Sequence, residues 1–111
     1  MRAVALSRRT LACIVETPTQ KRIGWYSVGS GDLLGSLWVP MEVANELDIS
    51  AGRIVFHRER RIRLLDTGDH TLRLLTREPS EPVGLSIEGR RITWALNGGG
   101  RGRVRTILLA R

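Results

Sequence analysis

The sequence predicts a mainly-β fold with one short helix. Three observations carry that reading. Apolar and polar residues alternate in several segments, which is the two-residue period of half-buried strands. Turn-forming clusters of Gly, Pro, Ser, Asn and Asp separate those segments at short intervals. A single proline-led segment carries apolar residues four apart.

Taken in order, Leu11–Val15 and Ile23–Val28 read as strands around the turn Thr17-Pro18-Thr19-Gln20, and Gly29-Ser30-Gly31-Asp32 is a turn cluster. Leu37 and Val39 alternate with Ser36 and Trp38, which suits a short strand. Pro40 stops that ladder because it has no N–H, and its fixed φ suits the first turn of a helix. Glu42 then lies where a helix dipole favours an anion, and Val43 and Leu47 share one face, so Met41–Asp48 is the predicted helix. Gly52 marks a turn, Ile54 to Phe56 begin a strand, and Ile62 and Leu64 alternate with Arg61 and Arg63 in the next.

Beyond the turn Thr67-Gly68-Asp69, Thr71–Thr76 reads as a strand. Glu78-Pro79-Ser80-Glu81-Pro82 reads as a loop, because two prolines exclude a central strand. Val83, Leu85 and Ile87 alternate, Gly89 turns the chain, and Ile92, Trp94 and Leu96 form the next alternating strand. Asn97 to Gly100 is a connection, in which Asn97-Gly98-Gly99-Gly100-Arg101-Gly102 reads as a hairpin loop or an anion-binding nest of N–H groups. Arg103–Leu109 closes the series. A weak internal echo is also present: Gly31-Asp32 and Gly52-Arg53 stand at the same separation as Gly68-Asp69 and Gly89-Arg90.

At 111 residues the chain is one domain with a modest core. Only 5% of residues are aromatic, so aliphatic side chains must fill most of that core, with Trp25 and Trp94 as bulky pieces. Trp38 sits between Leu37 and Val39 and is the tryptophan placed to face outward or toward a partner. The net charge of +7 is uneven: residues 1–56 hold six basic and five acidic side chains, residues 57–111 twelve and six. A basic half is the footprint of a polyanion binder, and it also suits an acidic protein partner.

Cys13 is the only cysteine, so no internal disulfide forms, and its apolar run makes it a buried thiol. Ser7-Arg8-Arg9-Thr10-Leu11 lacks the apolar region that an export signal needs, which favours a cytoplasmic setting. His57 and His70 have no partners at metal-ligand spacing, no nucleophile elbow occurs, and the acids are scattered, so no metal, cofactor or enzyme activity is expected.

Two arginine sets are the candidate nucleic-acid contacts. Arg58, Arg60, Arg61 and Arg63 surround a hairpin. In one strand, Arg61 and Arg63 take one face, and Arg58 and Arg60 the other unless the turn falls between them. Arg101, Arg103 and Arg105, if all three lie in one strand, form a stripe on one face at about 6.6 Å spacing, with guanidinium groups suited to phosphate. The alternative role for such arginines is a solvated face that discourages edge pairing.

Gly35, Leu37, Val39, Pro40, Glu42, Val43, Leu47, Ile49, Gly52 and Val55 follow one another at the spacing of the AbrB/MazE-like swapped-hairpin domain, and this stretch resembles that family, with Ile62 and Leu64 at its later aliphatic positions. The resemblance implies a small β-barrel built by an intertwined homodimer, and a DNA-binding transcription regulator or antitoxin. Leu37, Trp38, Val39, Val43, Leu47 and Ile49 become the dimer interface. Residues 1–34 are then an N-terminal β-hairpin extension, 35–66 the motif, and 67–111 C-terminal strands. The helix departs from the family in carrying Glu42, Glu46 and Asp48 without Arg or Lys, so it is expected to face away from DNA. Residues 46–111 resemble, more loosely, the SpoA (surface presentation) domain, through Gly52-Arg53, Gly68-Asp69, Glu81-Pro82-Val83, Gly89-Arg90 and Gly102-Arg103. That likeness implies a structural scaffold with a type III secretion or flagellar sorting-platform partner.

Overall fold

Two-residue hairpin loops set the topology. Arg8-Arg9, Ala51-Gly52, Glu59-Arg60 and Gly89-Arg90 each join two antiparallel strands. The first residue of each loop has positive φ, at 52°, 53°, 54° and 60°. Such loops match the right-handed twist of the strands they connect.

The computed structural model describes residues 1–98 and 101–110. Among these residues eleven strands form three antiparallel sheets. The first contains β1 (Ala3–Ser7), β2 (Thr10–Glu16), β3 (Lys21–Ser27) and β4 (Leu33–Val39). The middle sheet contains β5 (Val43–Ser50), β6 (Arg53–Arg58), β7 (Arg61–Asp66) and β8 (Thr71–Arg77). The third contains β9 (Pro82–Glu88), β10 (Arg91–Gly98) and β11 (Arg101–Leu108). Each strand pairs only with its chain neighbours within its sheet.

The innermost strands lie side by side, β1 against β5 and β5 against β9. The sheets radiate from that line as blades do in a propeller. The unit recurs about every 40 residues, within the range of blade repeats. The echoed Gly-Asp and Gly-Arg pairs fall in matching turns of successive sheets.

Packing follows from strand alternation. Ile54, Phe56 and Leu65 of the middle sheet point into one core with Ile14, Ile23 and Trp25 of the first sheet. Val55, Ile62 and Leu64 point the other way, into a second core with Ile92, Trp94 and Leu96 of the third. The middle sheet is therefore buried on both faces, which explains the unbroken apolar run Ile54-Val55-Phe56.

Side chains also tie blade to blade. Along β5, Glu46, Asp48 and Ser50 project at every second position toward β9. Glu46 accepts hydrogen bonds from the N–H groups of Leu85 (2.6 Å) and Gly84 (3.3 Å). Asp48 accepts from Ile87 N–H (2.8 Å) and Ser50 Oγ from Gly89 N–H (2.9 Å). Ser7 of β1 does the same for Ala51 N–H (3.0 Å).

Several expectations are corrected here. No helix occurs among the described residues, and Met41–Asp48 forms a turn followed by β5. Pro40 accepts the turn bond from Val43 N–H (3.1 Å) instead of opening a helix. A spacing of four residues puts Val43 and Leu47 on one side of a helix or of a strand; Ile49, two further on and buried with them, fits only the strand. The sheets do not close into a barrel. Val43, Leu47 and Ile49 of β5 are buried in the chain's own first core, where the first sheet covers them with Val39, and Leu37 packs against that core. Trp38, expected to face outward or toward a partner, is exposed on the outer side of that sheet, opposite Arg22. Pro82 begins β9 rather than lying in a loop, at a strand's first residue, where its missing N–H is tolerated. No described helix is long and apolar enough to cross a membrane.

Candidate anion-binding rim

The β6–β7 hairpin sets the site. Its turn is Glu59-Arg60, so Arg58 and Arg61 stand directly opposite each other and share a face. The turn thus falls between the two pairs, which is the case in which the division of Arg58 and Arg60 against Arg61 and Arg63 does not apply. The β7–β8 register adds Arg77 opposite Arg61. Three arginines thus line up across three neighbouring strands, and like charges directly opposite destabilise a sheet. Arg60, Arg61 and Arg77 line a small recess with Glu59. Arg58 has one acid near it, Glu42, at 3.8 Å, and its Nε is buried without a hydrogen-bond partner among the described residues. Arg63 lies on the same face, farther along β7 and opposite Phe56 and Leu74.

The second arginine set lies toward the other face of the middle sheet, the face of the second core, and is tied to the hairpin turn through Glu78. Its backbone N–H donates to the Arg60 carbonyl (2.8 Å), which folds the end of β8 onto the hairpin turn. Its buried carboxylate accepts from Thr76 Oγ1 (3.2 Å) and lies 3.7 Å from Arg105 Nη2. Arg103 and Arg105 are paired with Leu96 and Trp94 and so occupy one side of β11, as the stripe requires. Position 101 continues that alternation, but the Arg101 side chain and residues 99–100 of the expected nest lie outside the described residues.

Arg77 and Glu78 are the members of the rim that the sequence did not reveal, because their roles depend on strand pairing. The acids of the expected helix also have internal work. Glu46 and Asp48 hold β9, and Glu46 lies 3.9 Å from Nε2 of the buried His57, whose Nδ1 is 3.1 Å from the Glu59 carbonyl. At the opposite end, a broad depression of about 670 Å³ is lined by residues that include Arg8, Arg9, Trp25 and Leu34, and arginine is its one titratable type. It therefore offers no acid–base pair. Among the described residues no cluster of three His, Cys, Asp or Glu is placed to hold a metal ion.

No protein-family model matches the sequence, and no curated protein matches it significantly. The crystal structure of the computationally designed Ika4 protein is similar in fold, with a TM-score of 0.64 at 14% identity, over 98% of this chain and 91% of that one. At that identity the likeness concerns the fold alone.

Proposed function

We propose that the chain is a non-catalytic binding module for nucleic-acid backbone, acting in DNA binding and transcription control through Arg58, Arg60, Arg61 and Arg77 at the end of the middle sheet, with Arg103 and Arg105 beyond its other face. The observation that carries the proposal is the cross-strand row Arg58–Arg61–Arg77. Three opposed guanidinium groups cost stability unless an anion screens them, and phosphate oxygens accept their paired N–H donors. Phosphate contacts position a protein without reading bases, so binding should be tolerant of sequence.

Duplex affinity should fall steeply with salt, by a log–log slope of about −0.9 for each phosphate neutralised. The triple variant R61Q/R77Q/R105Q should flatten that slope by roughly 2 to 3 and weaken every duplex alike. An unchanged slope would remove the rim from the interface.

One observation favours the scaffold reading as an alternative. The first two sheets have a fourth strand, whereas β11 is the outer strand of the third. Its outer edge, unpaired among the described residues, is suited to an extended, acidic partner segment added as a further strand. Under that reading, duplex binding near 100 mM salt is no stronger than that of any basic protein (about 10⁻⁴ to 10⁻⁶ M).

A further inference from the structure

The repeated blades make the two outer faces of the chain comparable with interfaces already formed inside it. Ser7, Ser50 and Glu88 are equivalent, because each closes the first hairpin of its sheet, opposite Thr10, Arg53 and Arg91. Counting back one residue aligns Leu6 with Ile49 and Ile87; counting back three aligns Val4 with Leu47 and Leu85. Ile49 and Ile87 are 3% and 6% exposed, each covered by the preceding sheet. Leu6 is 61% exposed at the same place, and Val4 is also exposed. The first sheet thus carries the apolar face that its two successors bury.

The third sheet carries the complementary face. Val104 and Leu108 stand on its outer side at 75% and 66% exposure, with Val83 beside them. The polar pattern is equally incomplete. Ser7 takes the turn N–H of Ala51, and Ser50 takes the turn N–H of Gly89. Glu88 is the third residue of that series, and the equivalent turn N–H belongs to Arg8, at the far end of the chain. Glu88 is acidic where Arg8 and Arg9 are basic, so the two ends are also complementary in charge.

We infer that a second copy of this chain covers both faces, the third sheet of each copy packing on the first sheet of the other. The occupant is a second copy because one chain holds both halves of a contact that it already makes twice internally. Two copies give six blades, within the usual four to eight, whereas three copies would give nine. The two contacts are identical and close a two-fold ring. In it Glu88 accepts from the partner chain's Arg8 N–H, and Leu6 is buried against the partner's third sheet. This goes beyond the nucleic-acid reading and does not depend on it.

The test is sedimentation equilibrium of the purified chain and two surface variants, Leu6→Glu and Leu108→Glu, with far-UV circular dichroism to confirm that each folds. Both residues are exposed in the single chain, so the fold should persist. The unmodified chain should weigh about twice 12.4 kDa at about 20 µM. Each variant alone should associate about 100-fold more weakly or not at all, because each contact would bury an unpaired carboxylate. Mixing the two variants should restore part of the association, because one of the two contacts then joins two unaltered faces. A monomer, a trimer or an open series of larger species would overturn the proposal. So would an effect of one variant only, since that signals a face packing on itself. Should either variant unfold, Glu88→Arg serves in its place, and it must weaken the dimer for the proposal to stand.

Discussion

The ladder from β5 to β9 gives the most discriminating stability test. Glu46 and Asp48 satisfy backbone N–H groups of β9 and Ser50 that of Gly89 in the turn after it, and their contributions can be ranked. Glu46 accepts two such bonds with a charged oxygen pair, one of them long. Asp48 accepts one from Ile87, and Ser50 accepts one as a neutral hydroxyl. A hydrogen bond to a charged group contributes about 1.5–3 kcal/mol and a neutral one about 0.5–1.5 kcal/mol. The Glu46 side chain is 32% exposed, so water replaces part of what is lost and its figure belongs at the lower end. Glu46→Ala should cost about 2–3 kcal/mol, Asp48→Ala about 1.5–2 kcal/mol and Ser50→Ala about 1 kcal/mol or less. Urea unfolding at one fixed protein concentration measures all three, since any self-association adds to apparent stability. A helix over Met41–Asp48 would behave differently: alanine at its exposed Glu46 would be neutral or stabilising. Three variants within about 0.5 kcal/mol of the parent, or Ser50→Ala as the costliest, would refute the ladder.

Three further outcomes follow from single sites. Gly35→Ala should destabilise by about 1–3 kcal/mol, because a Cβ there would stand 2.3 Å from Cζ2 of Trp25, and thermal unfolding should show a lower Tm. Leu47→Ala should cost about 2–5 kcal/mol by urea titration, as a large-to-small change in the first core. The Thr71 hydroxyl and N–H hold the Asp69 carboxyl below its ordinary value of 3.8. Its contribution to stability is therefore complete above that value and is lost as pH falls through the lower, folded-state value. A side-chain NMR titration should place its midpoint below 3.8, and Thr71→Val should raise it.

Much of the strand pattern was legible because alternation is local. Val83, Leu85 and Ile87, and Ile92, Trp94 and Leu96, each show one buried face in the sequence and bury it in the structure. β1 was not legible: Ala3-Val4-Ala5-Leu6 is apolar at every position, so it shows no two-residue period. The helix error had a different source, the ambiguity of four-residue spacing, compounded by a proline that begins a turn as readily as a helix. Gly35 read as a family motif position, yet its physical role is to let the Trp25 ring lie across β4, which only the β3–β4 register reveals. Of the candidate site, the arginines were visible, but their alignment was not. Arg77 joins Arg58 and Arg61 only through two successive strand pairings, and Glu78 joins Arg105 to Arg60 across three connected segments.

On the proposed reading, the arginine row is held at a cost to folding because it serves binding. Arg61→Gln tests this with two readings on one protein. Stability in urea at low salt should rise by about 0.2–1 kcal/mol, as opposed like charges are relieved. Duplex affinity should fall, and the salt slope should flatten by about 0.9. A loss of stability with the salt slope unchanged would contradict the claim, for the arginine would then be part of the fold and not of a binding surface.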